Sequence, residues 1–341
     1  MINIISKSYV SSNVNGPQKV AANFVKGLEK LHYPFIVNKD LAACERLWIH
    51  DDIQALKMLP SLPERIKVTI GPNLFVLPRH IPQDINLSKA VYVHPSDWTR
   101  EMWQKTGFDR CPIEIWPTGI DTDMFAPASG EKEHVMIYFK QRYPEELAYV
   151  ESILKGMKAE VVHMMYWHYT ESEYRKALKK TKYIIWIGRQ ESQGIALEEA
   201  LAANVPILVW DVDRIGHWQA SETEMTTFNE VENDIFATSA FYFDERCGLK
   251  TTNREEIVNM ISVMEKRWQE FCPRDYILEH LSLEGQATAL LKIYEKYWGL
   301  RVEDGYKETI GPVANWVNNT FVERSKLKAK GVVKTFLKFI R

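Results

Sequence analysis

The sequence predicts an α/β protein built from two Rossmann-like domains, each a doubly wound parallel sheet, which face each other across a cleft. Short apolar runs alternate with amphipathic helical patterns along the chain, as they do in βαβ units. A stretch rich in proline, glycine and small polar residues, 117–134, divides this alternation into two blocks of similar size. The length of 341 residues fits two domains, because a domain takes roughly 100–200 residues.

The first block begins with an apolar run and continues with further strands and helices. After the first strand, the segment 15–31 starts with Asn-Gly-Pro and then carries apolar residues at helical spacing from Val20 to Leu28. Segment 96–106 predicts a second helix. The strands are predicted at 2–7, 33–38, 46–51, 67–72, 90–95 and 113–119.

The second block repeats the alternation after the linker. Its strands are predicted at 134–140, 160–165, 182–188 and 205–211. Its helices are predicted at 144–157, 171–181, 194–203, 253–271 and 282–298. Ligands of open α/β sheets bind at the carboxyl ends of the strands, so the cleft between the blocks is the expected site.

Composition and charge narrow the class of protein. The formal net charge of −2 argues against nucleic acid as a partner of the whole chain. Four widely spaced cysteines without a CxxC pair argue against a disulfide framework or structural zinc. The start of the sequence lacks the pattern of a signal peptide, and no apolar run reaches the ~18 residues of a membrane span. We therefore expect a cytoplasmic protein.

The stretch from Glu191 to Glu199 is the most informative part of the sequence. Glu191 follows a strongly apolar strand, Gln193 and Gly194 open the next helix, and Glu199 lies within it. A helix start presents unpaired backbone N–H groups, so a phosphate fits there, and Gly194 permits close approach. Carboxylates do not bind phosphate but accept hydrogen bonds from sugar hydroxyls. The pattern suits a nucleotide-sugar; the alternative is a surface helix with ordinary solvated glutamates.

The segment Glu191-Ser-Gln-Gly-Ile-Ala-Leu-Glu-Glu199-Ala-Leu-Ala-Ala-Asn-Val-Pro206 resembles the E-x7-E motif of glycosyltransferase family 4 and related retaining enzymes of the GT-B fold. The family form is E-G-F-G-L-x-x-x-E-A-x-A-x-G-x-P, from which this chain departs at three positions: Ser192, Gln193 and Asn204. Segment 92–103 resembles the family's PS-x-W segment, and 116–127 resembles its linker. The resemblance covers roughly residues 1–298.

This resemblance implies a GT-B protein with an acceptor-side domain at 1–127 and a nucleotide-sugar-binding domain at 128–298. It implies a retaining hexosyltransferase that moves a hexose from a nucleotide-diphosphate sugar to a hydroxyl of a glycan or lipid-linked acceptor. No metal or other cofactor is expected. In this reading Glu191 binds hydroxyls of the donor hexose and Glu199 binds the ribose of the nucleotide.

The diphosphate of the donor has its own predicted contacts. The resemblance implies backbone contacts from Gln193, Gly194 and Ile195. A basic pair follows the first strand of the second domain in the family, and here Lys140 and Arg142 take that place, although the spacing differs from the usual one. They would neutralise the leaving diphosphate, where much of the rate acceleration arises. The alternative for this pair is a solvated loop.

The first domain provides weaker signals. Gly16, in the loop before the first helix, is predicted to approach the diphosphate or the acceptor, or to form an ordinary turn. Many family members have a histidine after a middle strand, but this chain has Gly71-Pro72-Asn73 there, so Asn73 is a donor-side or acceptor-side candidate. His50 and His94 end neighbouring strands and are either further candidates or structural. A retaining front-face mechanism needs no protein nucleophile.

Three other functions compete with this reading. Asp211-Val-Asp213 follows a strand and resembles the metal site of GT-A glycosyltransferases, but it comes late in the chain, after the E-x7-E helix. The imperfect basic pair and the absent histidine are also compatible with a catalytically silent GT-B subunit that binds a partner. The third alternative is a nucleotide-sugar epimerase of the same fold, which needs no acceptor.

The segment 299–341 extends beyond the resemblance. Within 324–341, apolar residues share one helical face beside lysines and an arginine, a pattern typical of helices that bind an anionic membrane surface. Such binding would make the protein peripheral on the membrane and would suit a lipid-linked acceptor. The alternative is a terminal helix that packs back on the first domain.

Overall fold

The computed structural model describes residues 1–11, 15–217 and 228–307 of the chain. Within these residues the strands form two parallel sheets, one with six strands and one with five, and helices cover both. The predicted α/β class with two sheets is therefore confirmed. The predicted boundary between the domains, at 127, falls between the last strand of the first sheet and the first strand of the second.

The first sheet contains the strands predicted for the first block, each within its predicted segment. They are β1 (Ile2–Ile5), β2 (Phe35–Val37), β3 (Arg46–Ile49), β4 (Lys67–Ile70), β5 (Ala90–His94) and β6 (Ile113–Ile115). Their spatial order is β2-β1-β3-β4-β5-β6. The α-helices in the described residues of this part are α1 (Gly16–Lys30), α2 (Ile53–Lys57) and α3 (Asp97–Lys105). The side chain of Asn15 caps α1 by accepting a hydrogen bond from the Gln18 N–H.

The second sheet has the spatial order β11-β10-β9-β7-β8. Its strands are β7 (His134–Lys140), β8 (Val161–Met165), β9 (Thr181–Gly188), β10 (Ile207–Trp210) and β11 (Gly248–Thr251). The helices that follow the linker are α4 (Pro144–Gly156), α5 (Glu171–Lys180), α6 (Ile195–Ala202), α7 (Glu230–Asn233), α8 (Ile257–Arg267), α9 (Pro273–His280), α10 (Leu283–Trp298) and α11 (Val302–Lys307). The long central strand β9 is almost wholly buried, as expected for a strand covered on both faces.

Helix α10 packs on the first sheet, although the sequence pattern predicts it within the second domain. Its apolar face lies against α1 and joins the buried cluster that contains Phe24, Trp48 and Trp116. The hydroxyl of Tyr294 hydrogen-bonds the Thr69 hydroxyl on β4 at 2.7 Å and donates to the Leu47 carbonyl on β3 at 2.6 Å. Helix α10 lies on the first domain because α1 and the first sheet bury its apolar face.

The chain crosses between the two sheets at two adjacent places. The first crossing is the linker, and the second is the turn before α10. They meet where the Ile120 N–H donates to the Leu281 carbonyl at 2.8 Å and Ile120 forms a parallel bridge with Ser282. The Asn23 amide of α1 donates to the Gly119 carbonyl at 2.8 Å and ties the same point to the first domain.

The described part of the C-terminal segment contacts the first domain. The Tyr306 hydroxyl of α11 donates to the Leu31 carbonyl at 3.1 Å, and its ring meets that of Tyr33 at 5.0 Å between centroids. Residues 308–341, including the predicted membrane-binding stretch 324–341, lie outside the described residues. Across 1–11, 15–217 and 228–307, no helix has the length and apolar character needed to cross a membrane.

Candidate functional site

Three side chains meet at the carboxyl edge of the second sheet. Lys140 ends β7, Tyr166 follows β8, and Glu191 follows β9, so the parallel topology brings them together. The Lys140 ammonium lies 2.5 Å from Oε1 of Glu191 and 4.1 Å from the centroid of the Tyr166 ring. The Lys140 side chain is only 8% exposed, so its charge is partly desolvated and interacts strongly with its neighbours.

Helix α6 starts beside this group. Gly194 is its N-cap residue with φ of +98°, a left-handed conformation that glycine adopts without strain. Ile195 is the first helical residue, and it packs against the buried clusters of both sheets. A Cβ at Gly194 would lie 3.7 Å from the Glu191 Cβ, so this helix start, whose first N–H groups have no partner within the helix, lies beside Glu191.

The Gln193 side chain fastens this loop to the linker. Its Oε1 accepts from the Thr118 N–H at 2.9 Å, and its Nε2 donates to the Thr118 carbonyl and to Glu198, both at 2.8 Å. Burial raises the pKa of Glu198. The Gln193 side chain thus anchors the loop to the linker, and the backbone contact with a diphosphate stays a prediction.

Glu199 lies one turn into α6 and contacts the first domain. Its Oε1 is 2.5 Å from the Lys19 ammonium of α1, and that ammonium is also 3.2 Å from Glu171 of α5. Among the described residues, Oε2 of Glu199 has no hydrogen-bond partner, although the atom is buried. Burial raises the pKa of Glu199 to about 7, while Lys19 opposes the rise. The carboxylate thus has one engaged and one free oxygen.

The two members of the predicted basic pair, Lys140 and Arg142, have different partners at the carboxyl edge of the second sheet. Arg142 is buried, and its guanidinium pairs with Glu146 and donates to the carbonyls of Gly188 and Trp210 at 3.1 and 2.9 Å. It therefore joins the carboxyl ends of β9 and β10 and the start of α4. Lys140 is the member of the pair that contacts Glu191.

The first domain approaches this loop through Pro95-Ser96-Asp97-Trp98. Ser96 donates to the Ser192 carbonyl at 2.6 Å, and the Trp98 indole donates to the Glu191 carbonyl at 3.1 Å. The Tyr242 hydroxyl of the second domain donates to the Pro95 carbonyl at 2.6 Å. The two sequence segments that resemble family motifs are thus in direct contact across the cleft.

The remaining first-domain candidates lie at the start of α1 and the end of β4. Gly16 is exposed as the first residue of α1, and residues 12–14 of the predicted glycine loop lie outside the described residues. Asn73 is exposed just after the cis Gly71–Pro72 bond. A Cβ at Gly71 would approach the Tyr92 ring to 2.7 Å, so this turn packs tightly against β5.

His94 and His50 are buried at the ends of β5 and β3. The ring of His94 stacks on Tyr92 at 5.0 Å and meets Trp103 edge-on at 4.4 Å. Burial lowers the pKa of His94 to about 3, so the ring is neutral at physiological pH. Burial also lowers the pKa of His50, whose Nε2 lies 3.0 Å from the Pro17 carbonyl. Both rings are neutral packing groups with polar nitrogens.

The Asp211 carboxylate is bound by neighbouring donors. It accepts hydrogen bonds from the Thr238 hydroxyl, the Ser239 hydroxyl and the backbone N–H groups of Ser239 and Val212. Asp213 is exposed. In the described ranges, no cluster of three or more His, Cys, Asp or Glu side chains could hold a metal ion. Asp211 thus orders the segment 238–239, which runs beside the Glu191 loop.

Sequence reasoning missed an aromatic group beneath the site and the lysine that crosses the cleft. Tyr138 stacks on Trp186 at 3.8 Å between ring centroids, and the Tyr169 hydroxyl donates to the Tyr138 hydroxyl at 3.0 Å. The aromatic run Tyr166-Trp167-His168-Tyr169 after a predicted strand is the signal that could have indicated this group. Lys19 left no comparable signal, because its partner is 180 positions away.

Comparisons with known proteins concern the fold. Neither a protein-family model nor a curated protein sequence matches the chain. Sucrose-phosphate synthase from Thermosynechococcus elongatus is similar with 9% identity and a TM-score of 0.55, over 88% of this chain and 99% of that one. HepE from Anabaena, in complex with UDP and glucose, is similar with 10% identity and a TM-score of 0.51, over 86% of this chain and 99% of that one.

The chain has the GT-B fold. The two parallel sheets of this chain lie within these matches, which extend over 99% of each of the two known structures. In this GT-B chain, the site described above lies where the carboxyl ends of the second sheet meet the first domain.

Proposed function

We propose that this GT-B chain is a metal-independent, retaining hexosyltransferase related to glycosyltransferase family 4. It would move a hexose from a nucleoside-diphosphate sugar to a hydroxyl of a glycan or lipid-linked acceptor. The observation that carries the proposal is the convergence of Lys140, Glu191, the α6 start and the free oxygen of Glu199 in one cleft. This set offers a cation, a helix start and two carboxylates, which match a diphosphate between two polyols.

Each group has a defined task in this proposal. The diphosphate binds the N–H groups at the start of α6, and Lys140 balances the charge that develops as it departs. Glu191 accepts hydrogen bonds from hexose hydroxyls, and Glu199 accepts one from the ribose. The bond between the anomeric carbon and the phosphate oxygen breaks, the acceptor oxygen bonds that carbon on the same face, and the acceptor proton passes to the departing phosphate.

Ligand binding tests the donor class directly. We expect UDP, GDP or ADP, with or without its sugar, to raise the thermal midpoint of unfolding, because a ligand of the native state stabilises it. UDP is the first choice, since the HepE structure contains UDP and glucose. Glu191→Gln should weaken binding of the sugar nucleotide by tenfold or more but leave binding of the free nucleotide nearly unchanged. The control is Glu151→Gln, which alters an exposed carboxylate paired with His163.

A product analysis tests the reaction. The proposal requires release of the free nucleotide with acceptor present, and an NMR spectrum in which the new linkage has the anomeric configuration of the donor. Inversion of that configuration would reject the retaining mechanism. A changed sugar nucleotide without any acceptor would instead identify an epimerase.

One observation favours a second candidate, a GT-B subunit that binds without catalysis. Arg142, one of the two predicted diphosphate cations, is buried and bound to Glu146 and to backbone carbonyls. A site with fewer free cations stabilises a departing diphosphate less. Nucleotide binding without turnover of any sugar nucleotide, in the presence of partner proteins and acceptors, would support this candidate over the transferase.

A further inference from the structure

We propose that Lys19 is a positioning residue that reaches from the first domain across the cleft and orients Glu199 for the donor. This inference rests on the proposed function and adds a first-domain residue to it. Its ammonium holds Oε1 of Glu199 at 2.5 Å and leaves Oε2 to accept a hydrogen bond from a ribose hydroxyl. Donor binding and closure of the two domains are then linked through one ion pair.

Lys19 and Glu199 form a largely buried ion pair, so the position of the ammonium affects the charge and the free acceptor of the carboxylate. The side chains of Lys19 and Glu199 are 17% and 4% exposed. A buried carboxylate without a partner costs several kcal/mol, so it either finds a cation or binds a proton. The free Oε2 is the remaining acceptor of this group, and its lack of a partner among the described residues indicates a place for a ligand donor.

The surroundings of Glu199 make Lys19 the nearest source of positive charge. The titratable groups that face it come from α1, α5, α6 and the loop before α5: Lys19, Glu171, Arg175, Tyr174, Tyr169 and Glu198. Two of these are carboxyl groups, which disfavour a charge on Glu199. Arg175 lies 3.9 Å from Glu171 and partly compensates it. Burial raises the pKa of Glu199, and Lys19 is the main group that opposes this rise and favours the ionised carboxylate.

The position of Lys19 depends on the first domain. Lys19 lies in the first turns of α1, which packs on α10 and the first sheet, while Glu199 belongs to the second domain. The carbonyl of Pro17, two residues before it, contacts the buried His50 ring at 3.0 Å. The lysine is thus carried by a helix that packs on the first domain, and it contacts Glu199 of the second domain.

The test measures UDP affinity by calorimetry from pH 6 to pH 9 in three variants and the unaltered protein, with GDP and ADP in parallel. Lys19→Met should weaken binding at pH 7 by tenfold or more and move the midpoint of the pH dependence upward by about one unit. Affinity should then recover toward pH 9, where Glu199 ionises without help. Lys19→Arg should retain most of the affinity, because it keeps the cation.

Lys26→Met is the matched control. Lys26 is also on α1 and also pairs across to a carboxylate, Asp121 of the linker, at 2.7 Å. The Lys26→Met variant should bind UDP with the same midpoint of the pH dependence as the unaltered protein. Titration of UDP itself is common to all variants and cancels in the comparison. Thermal midpoints measured without ligand identify any variant that fails to fold.

The outcomes separate the two proposals. If the unaltered protein binds no nucleotide, the proposed function fails and this inference falls with it. If the protein binds UDP but Lys19→Met has an unchanged affinity, or a loss that is equal at every pH, the positioning role is rejected while the proposed function stands. An upward shift of the midpoint that Lys19→Arg reverses supports the positioning role.

Discussion

His94 and His50 illustrate how burial sets the charge of single residues in this fold. Both rings stay neutral in the folded protein, and the pKa of His94 is lowered to about 3. In the unfolded chain a histidine has a pKa near 6.5, so below that value the unfolded state takes up protons that the folded state does not. Each ring therefore makes the fold less stable as the pH falls.

The prediction follows for His94→Phe, which keeps an aromatic ring between Tyr92 and Trp103. In the unaltered protein, His94 lowers the free energy of unfolding by up to about 1.4 kcal/mol for each pH unit that the pH falls below 6.5. Urea denaturation at pH 7.5, 6.5 and 5.5 should therefore show a smaller slope in the variant. His163→Gln, at an exposed histidine, is the control. An equal slope in His94→Phe and the unaltered protein would contradict the prediction.

At the same scale, the sequence predicted part of the candidate site. Lys140 and Glu191 are in contact at two strand ends, and Gly194 and Glu199 follow on α6, because strand ends and a helix start have recognisable local patterns. Arg142 lies at the same sheet edge but bonds Glu146 and two backbone carbonyls, and bonds to backbone carbonyls leave no trace in sequence spacing. Lys19 was missed for a similar reason, because a contact between two domains joins residues that are far apart in sequence and leaves no spacing pattern.

At the scale of elements, the contact between α1 and α10 requires a small residue. A Cβ at Gly27 would lie 2.4 Å from the Leu283 carbonyl oxygen and 2.8 Å from the Ala287 Cβ. Both atoms belong to α10, and one is backbone, so the helix as a whole would have to move. Gly27 thus sets the distance between two helices that cover the same face of the first sheet.

Gly27→Ala should therefore destabilise the protein by roughly 1–3 kcal/mol, the usual cost of overpacking, despite the better helix propensity of alanine. Chemical denaturation measures this. The control is Gly156→Ala at the end of α4, where a Cβ would meet nothing within 4 Å and the propensity gain should remain. Equal stability changes in the two variants would show that the helices can separate without cost.

The elements themselves were largely predictable, and their partners were not. Apart from β11, the strands of both blocks contain apolar runs that predict them. Strand β11 was missed because its sequence Gly-Leu-Lys-Thr is short and mixed, and Gly248 begins it with φ of +137°. Helix α10 was recognised as a helix, but amphipathic spacing gives the buried face and not the surface that buries it.

At the scale of the whole molecule, hydrogen bonds from the start of α3 join the two domains. Trp98 donates to the Glu191 carbonyl across the cleft at 3.1 Å, whereas Trp103 donates to the Val76 carbonyl within the first domain at 3.0 Å. Both indoles are on α3 and both are buried. The two residues therefore form a natural pair for separating domain contact from domain stability.

Trp98→Phe and Trp103→Phe each remove one indole hydrogen bond, worth about 1 kcal/mol. We expect similar small losses in unfolding free energy from both. Only Trp98→Phe should raise the KM for the sugar nucleotide several-fold, because its partner is the backbone of Glu191. Steady-state kinetics and denaturation together check this. A KM effect of the same size in Trp103→Phe would mean that general loosening is responsible.

The return of α10 to the first sheet also has a consequence for synthesis of the protein. Domains generally fold from the N-terminus during translation, at ~5–20 residues per second. Here the apolar face formed by Phe24, Trp48 and Trp116 receives its cover only when Leu283–Trp298 emerges from the ribosome. The first domain therefore cannot complete its core until almost the entire second domain has been synthesised. A nascent chain stalled before Leu283 should bind chaperones through that face.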